Sequence, residues 1–259
     1  MEQNISLYKY NRQLLIRETV EGSGQVSVSK LSQICGVSKA TIRRDLEELA
    51  DQRWIRRTHG GAVKIQHAIK EPPIIERMNW NKEIKERIGR KAAELINDGE
   101  TIFLGSGTSV FYVAKYIPDN QPLTVITNSI VVINELSNRT NVELIVIGGI
   151  LRLSELSMVG YIADKTVREF RAHKVYISFR AVDIHHGFTN DNILEAAVDR
   201  EILQIAPEVI VVADHTKFNQ VSTIFITEVE TVSMLITDIE TPSEIIDSFI
   251  EKGVVVHQV

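Results

Sequence analysis

An α/β domain built on a mainly parallel sheet, preceded by a small unit of three helices and a hairpin, is the fold this sequence predicts. Three observations lead there. From residue 98 onward, β-branched and other apolar runs alternate with helical stretches, the pattern of strands joined by helices. The first 65 residues instead carry short apolar stripes at helical spacing, followed by a basic segment with a double glycine. Between these regions Glu71-Pro72-Pro73 interrupts any helix. The division that follows is 1–65, a linker over 66–80 and a body over 81–259.

The chain has 259 residues, 44% hydrophobic and 24% charged, the composition of an ordinary globular protein. Its longest strongly apolar stretch, Leu144 to Leu151, is far short of the roughly 20 residues a membrane span needs. Met1 to Arg17 is polar and charged, without the apolar run of a secretory signal. Cys35 is the only cysteine, so no internal disulfide framework is expected and a cytoplasmic setting is. The net charge of -5 conceals an asymmetry. Residues 1–70 hold 12 Lys and Arg against 7 Asp and Glu, whereas the remainder holds 17 against 27. A basic end on an acidic body assigns contact with a polyanion to the small N-terminal part.

In that part, Leu14, Leu15 and Val20 mark a first helix, stopped by Gly22-Ser23-Gly24. Val26-Ser27-Val28 opens the next unit, where Leu31, Ile34 and Cys35 share one helical face and Gly36 closes the helix. Ser38 caps a third helix whose Ile42, Leu46 and Leu49 form the buried stripe. Ala40, Arg43, Arg44 and Glu47 then point outward. Major-groove insertion needs such a face: a small residue permits close approach and guanidinium forks reach guanine edges or phosphates. A solvated helix with Arg43 and Arg44 paired to Glu47 and Glu48 fits the same residues. Trp54-Ile55-Arg56-Arg57-Thr58-His59-Gly60-Gly61-Ala62-Val63 favours the first reading, as a hairpin wing whose arginines grip the sugar-phosphate backbone.

Val37-Ser38-Lys39-Ala40-Thr41-Ile42-Arg43-Arg44-Asp45-Leu46, followed by Arg56-Arg57-Thr58-His59-Gly60-Gly61-Ala62, resembles the winged helix-turn-helix of the DeoR family of bacterial transcriptional regulators. The match runs from about Arg12 to Val63, with Arg53 standing where the family usually has glycine. The resemblance implies double-stranded operator DNA as partner, met by Ser38, Lys39, Ala40, Thr41, Arg43, Arg44, Arg56, Arg57 and His59.

In the body, Asn81 to Ile96 is amphipathic, with Ile84, Ile88, Ala92, Leu95 and Ile96 on one side. Strands are expected at Thr101–Leu104, Leu123–Thr127, Glu143–Ile147, Lys174–Ser178, Val209–Ala213 and Val232–Thr237. Helices are expected at Val110–Tyr116, Ser129–Leu136, Lys165–Phe170, Ile193–Ile205 and Ser243–Ile250. Ligands in such sheets sit at the carboxyl ends of strands. There Gly105-Ser106-Gly107-Thr108-Ser109 joins a strand to a helix, either as an anion-holding N-terminus or as a plain capped turn. Thr127-Asn128-Ser129 and Gly148-Gly149 lie at neighbouring strand ends, and the convergence points to a pocket for a small phosphorylated ligand.

Asp98 to Asn219 resembles the DeoR-type effector domain, related to the ribose-phosphate isomerase fold, through Asp98-Gly99-Glu100, Gly107-Thr108, Thr127-Asn128-Ser129, Gly148-Gly149, Gly187-Phe188-Thr189, Glu195-Ala196 and Ala213-Asp214-His215-Thr216-Lys217-Phe218. That resemblance implies a sugar-phosphate effector. Ser106, Gly107, Thr108 and Ser109 would take phosphate, Asn128 and Glu195 sugar hydroxyls, and Lys217 an anionic group, with Ser129, Gly148 and Gly149 completing the site. Three positions depart from the family pattern. Gly105 stands for a common aspartate, Arg180 lies where a carboxylate is usual, and Asp199 where lysine is. Arg180 is either a second phosphate ligand or a partner of Asp183 or Asp199. His185-His186 lacks metal-ligand spacing, and neither metal nor cofactor is expected. The expected function is a regulator, most often a repressor of carbohydrate-metabolism genes, acting as a homodimer or higher assembly through the Ile84/Ile88 helix. The alternative is a sugar-phosphate isomerase carrying a DNA-binding head, with Glu195, Asp214 and Lys217 as acid, base and electrostatic partner.

Overall fold

The computed structural model describes residues 9–52, 54–64, 66–67 and 72–259, and the chain forms two compact units, Met1–Gln66 and His67–Val259. Arg53 and Glu71, both singled out in the sequence, lie outside the described residues.

In the first unit, α1 (Lys9–Ser23), β1 (Gln25–Ser27), α2 (Val28–Cys35) and α3 (Lys39–Asp51) precede the hairpin β2 (Arg56–Thr58) and β3 (Gly61–Val63). The caps are local. Ser27 Oγ accepts from Lys30 N–H, Ser38 Oγ accepts from Thr41 N–H at 3.1 Å, and Gly36 ends α2 at φ 66°. The core gathers Ile16, Val20, Leu31, Cys35, Ile42, Leu46, Leu49 and Ile55. Leu14 and Ile34 are exposed, contrary to expectation. The buried stripe of α1 is Arg12, Ile16 and Val20 at four-residue spacing, which turns Leu14 about 200° away from Arg12. β3 pairs antiparallel with both β2 and β1. The second pairing needs Gly61, because a Cβ there would lie 2.0 Å from the Val26 carbonyl oxygen.

The second unit opens with two helices, α4 (Ile74–Arg77) and α5 (Lys82–Ala93). It continues β4 (Thr101–Leu104), α6 (Thr108–Tyr116), β5 (Leu123–Thr127), α7 (Ile130–Leu136), β6 (Val142–Val146), β7 (Ile150–Arg152), β8 (Ser157–Val159), α8 (Tyr161–Arg168) and β9 (Lys174–Ile177). After these come β10 (Ala181–Asp183), β11 (Gly187–Asn190), α9 (Ile193–Ile202), β12 (Glu208–Val212), β13 (Ile224–Thr227), β14 (Met234–Thr237), α10 (Ser243–Glu251) and β15 (Val255–Gln258). Seven parallel strands form the main sheet in the order β15-β14-β12-β9-β4-β5-β6. Side chains alternate between two cores. Ile102, Leu104, Val125, Tyr176, Ile210, Val212 and Ile236 face the layer of α5, α6 and α7. Phe103, Ile126, Val175, Ile177, Val209, Val211 and Leu235 face the layer of α8, α9 and α10. Central strands buried on both faces read as continuous apolar runs, which is why they were legible, whereas the half-exposed edge strand β15 was not among those expected.

Two expectations fail here. Ile88 is fully buried and α5 packs against α6 within the same chain, so the Ile84/Ile88 face is not left for a second copy. Of the linker expected over 66–80, residues 68–71 lie outside the described residues and Ile74–Arg77 is the helix α4. Ile74 is fully buried, and its N–H donates to the Ser154 carbonyl at 2.7 Å, so the segment from Ile74 is folded onto the body.

Candidate functional site

The first unit presents an exposed basic face on α3 and the hairpin. Ala40, Arg43, Arg44 and Glu47 on α3 are exposed, as are Ser38 and Lys39 at its start, while Thr41 is half-buried with its hydroxyl 2.9 Å from Ser38 Oγ. The i+4 partners that a solvated helix would use are engaged elsewhere. Glu47 pairs with Arg57 of the hairpin at 3.4 Å, and Glu48 with Lys9 at 2.6 Å. Among the described residues no ion pair involves Arg43 or Arg44. Arg57 and His59 are exposed on the hairpin, and Arg56 is half-buried. The pose of α3 is set from beneath. Arg12 holds Asp45 through two charge-assisted bonds, Nε–Oδ2 at 2.6 Å and Nη2–Oδ1 at 2.9 Å, both residues being buried. Arg17 stacks 3.2 Å over the Trp54 ring at the base of the hairpin.

In the second unit the order in which the chain lays down the parallel strands of the main sheet reverses at β4. The chain proceeds from β4 to β5 and β6 on one side, and β9, β12, β14 and β15 lie on the other. A cleft of about 630 Å³, counting its open mouth, lies at this switch point, where α/β sheets place ligands. Its lining includes Ser106, Gly107, Thr108, Ser109, Arg180, Glu195 and Lys217, so seven of the effector residues named from the sequence come together. Gly107 holds φ 113°, and a Cβ there would lie 2.3 Å from Ser178 Oγ, so only glycine brings the β4–α6 loop this close to the end of β9. No side chain caps α6, whose first N–H groups therefore remain available to an anion beside the Ser106, Thr108 and Ser109 hydroxyls.

Asn128, Ser129, Gly148 and Gly149 are not among the lining residues. The β7–β8 hairpin packs over them: Met158 N–H donates to Asn128 O at 2.8 Å, Asn128 Nδ2 to Met158 O at 3.1 Å, and Ile130 N–H to Leu156 O at 2.8 Å. The same hairpin delivers Arg152, Ser154 and Glu155 to the cleft instead. Arg77, Asn190 and Asp191 also line it and carried no signal in the sequence.

Electrostatically the cleft is a set of arginine–carboxylate pairs. Arg152 bonds Glu195 and, at 3.2 Å, Asp191. Arg180 reaches Asp191 at 4.0 Å, and Arg77 bonds Glu155. Glu195 also accepts from Ser106 Oγ and Asn190 Nδ2, each at 3.2 Å. Burial pushes the Glu195 carboxyl up against the opposing pull of Arg152. Burial, reinforced by the charge of Glu195, drives Asp199 well above the usual carboxylate range. Burial likewise raises Glu155 against the charge of Arg77.

Asp214 lies outside the lining and caps the turn His215–Lys217, accepting from Thr216 N–H at 3.0 Å. His186 is buried against Asp183 at 2.8 Å. Among the described residues one trio, His215, Asp238 and Glu240, has the donor types of a metal site. Asp238, however, already accepts from His215 N–H, His215 Nδ1 and Glu240 N–H. No helix among the described residues is long and apolar enough to cross a membrane.

Comparison with known proteins places both units in one family. Residues 12–68 match the DeoR-like helix-turn-helix domain, and residues 80–239 the DeoR C terminal sensor domain. The HTH-type transcriptional regulator YulB of Bacillus subtilis, itself uncharacterized, is 37% identical over 88% of each chain. The transcriptional repressor AccR of Agrobacterium fabrum is 32% identical over 93% of this chain and 94% of its own. A putative aga operon transcriptional repressor of Escherichia coli O157:H7 is 30% identical over 92% and 90%. Among solved structures, ribose 5-phosphate isomerase A of Methanocaldococcus jannaschii aligns at 14% identity and a TM-score of 0.39. That alignment spans 53% of this chain and about half, 55%, of the isomerase, too loose a likeness to bear on function. With a DNA-reading head and a sensor domain that together span most of its length, the chain belongs to the DeoR family of transcriptional regulators.

Proposed function

We propose that the protein represses carbohydrate-metabolism genes and is released from its operator by a phosphorylated sugar bound in the cleft. One observation carries this reading: the uncapped N-terminus of α6, with the Ser106, Thr108 and Ser109 hydroxyls, opens into a cleft that Arg152, Arg180 and Lys217 also line. Hydroxyls and oriented N–H groups suit the phosphate, and the carboxylates of Glu195 and Asp191 suit sugar hydroxyls. Two relatives are named as repressors, which favours repression over activation. Contacts to DNA are assigned to Ser38, Lys39, Ala40, Thr41, Arg43, Arg44, Arg56, Arg57 and His59, the α3 face and the hairpin. One such head covers too little DNA for regulatory specificity, so a homodimer or higher assembly reading paired half-sites completes the proposal. Catalysis is not part of it: Glu195 is held by Arg152, Ser106 and Asn190, and Asp214 is a turn cap, leaving neither as a ready proton acceptor.

Thermal unfolding of the full chain against a panel of sugar phosphates tests the reading, since a ligand binding only the folded state raises the transition. A stabilising sugar phosphate is expected to weaken binding to a genomic fragment selected by the protein itself. Thr108→Val is expected to remove that response. Saturable binding that leaves DNA affinity unchanged defeats the inducer role, and turnover of the sugar phosphate lost in Glu195→Gln establishes the isomerase instead.

A further inference from the structure

Near the start of the second unit, the segment Pro72 to Arg77 is bonded directly to the wall of the cleft. Arg77 donates from Nε to the Pro72 carbonyl at 2.8 Å and from Nη2 to the Glu155 carboxylate. Ile74 N–H donates to the carbonyl of Ser154, the residue before Glu155. Arg77 is only 7% exposed, yet it lines the cleft, as do Ser154 and Glu155. One guanidinium thus faces the cleft, the turn between β7 and β8, and the strand of chain arriving from the DNA-reading unit.

We propose that Arg77 and Glu155 form a ligand-operated latch, in which the anionic group of the effector displaces Glu155 from Arg77 and so frees the Pro72–Arg77 segment to shift. This rests on the proposed function and assigns its coupling step. The Pro72 carbonyl and Glu155 occupy the Nε–Nη2 edge of the guanidinium, so a phosphate that approaches this edge competes with the carboxylate for Nη2. When Glu155 leaves, the turn that carries it moves, and the Ser154 carbonyl moves away from Ile74. Effector binding thereby alters how the segment leading to α3 is held, and the ligand shifts that balance only by its preference for the open latch.

Trp80 reports on the segment. Its N–H donates to the Arg77 carbonyl at 3.0 Å, its side chain is 52% exposed, and the chain has only one other tryptophan, Trp54. In full-length Trp54→Phe protein, glucose 6-phosphate and, separately, millimolar inorganic phosphate are titrated while Trp80 emission is followed. Binding is measured independently by thermal unfolding. The expected result is a saturable emission change with the half-saturation seen in unfolding. Glu155→Gln, which weakens the competitor, is expected to tighten binding about three- to tenfold and to cut the emission change by at least half. Arg77→Lys, a point charge that cannot bridge both acceptors, is expected to abolish the change while weakening binding. If Arg77→Lys does not fold, Glu155→Gln decides. Binding with an unmoved Trp80 overturns the latch and leaves the proposed function standing. Absence of saturable binding for both probes and for every sugar phosphate of the panel overturns the two together.

Discussion

Replacing Asp45 by alanine isolates what holds the recognition helix in place. The carboxylate is buried and accepts two bonds from Arg12, so its removal takes two charge-assisted bonds from a guanidinium enclosed between α1 and α3. Breaking a buried pair from one side costs about 3–5 kcal/mol. Arg12 retains about a tenth of its exposure, and water reaching that edge sets the value near the lower end, about 3 kcal/mol. A unit of this size has roughly 3–10 kcal/mol in all, so Asp45→Ala brings the head to the margin of unfolding. The assay is urea unfolding of the full chain followed at Trp54, with Trp80→Phe as background. With a slope near 1 kcal/mol per molar urea for so small a unit, the head transition is expected to fall by about 3 M. Arg12→Met combined with Asp45→Leu is expected to recover most of that loss, because apolar residues replace the pair without stranding a charge. A drop below about 0.5 M in Asp45→Ala, or a double variant no better than the single, refutes the claim that this ion pair carries the pose of α3.

Three further outcomes are expected. Arg44→Ala weakens binding to the selected operator, by about 1–3 kcal/mol with relaxed specificity if the side chain reads guanine, or uniformly with a salt slope reduced by about 1 if it meets phosphate. Titration at several salt concentrations separates the two, and parent-like binding removes Arg44 from the interface. Gly107→Ala lowers the thermal transition, by about 2 kcal/mol on the scale of strained positive-φ sites, because the new Cβ meets Ser178 and φ is 113°; an unchanged transition shows that the loop relaxes. Asp199→Asn stabilises the protein in a pH-dependent way, and thermal unfolding from pH 4 to 8 measures it. Burial raises the folded-state pKa of Asp199, so its proton is held more tightly in the folded protein than in the unfolded chain. That stabilisation is complete below the unfolded carboxylate pKa near 3.9 and is lost as pH rises through the folded value. Asparagine keeps an acceptor for Asn190 Nδ2 and carries no such loss, so its advantage grows toward pH 8 by a few degrees and vanishes near pH 4. An advantage independent of pH refutes the assignment to ionisation.

Elements whose residues answer to local rules were legible in the sequence. The α3 stripe, the Ser38 cap and the Gly36 stop follow from three- and four-residue spacing and from caps one turn away. Strands β4 and β5 coincide with the residues expected, because a sheet covered on both faces selects unbroken apolar runs. Helix α8 begins four residues earlier than expected, since Gly160 at φ 87° starts it where the sequence offers no side-chain cap. The Ile84/Ile88 stripe announced a buried face but not what covers it. Periodicity is a property of one helix, whereas the partner, here α6 rather than a second copy, belongs to the tertiary fold.

The cleft was half legible, for a reason that bears on how it binds. The β4–α6 loop advertises itself through small residues next to a strand, but its charged partners come from distant points that no spacing connects: Arg77 on α4, Arg152 on β7 and, singled out only through the family resemblance, Arg180 after β9. Charge counting across the body, with 17 basic residues against 27 acidic after residue 70, argues against an anionic ligand. The local arrangement reverses that inference. Each of these arginines already carries a carboxylate, Glu155 on Arg77, Glu195 and Asp191 on Arg152, and Asp191 on Arg180. On the proposed reading, an incoming phosphate exchanges with a resident carboxylate, and only the difference between the two bonds appears as affinity. Burial favours the exchange, because Glu155 and Glu195 are already pushed toward the neutral form and lose less than a solvated carboxylate would when their arginine turns to the ligand. A cleft of this kind can sit in an acidic body, take an anion, and convert its arrival into movement of the segments on which the displaced carboxylates stand.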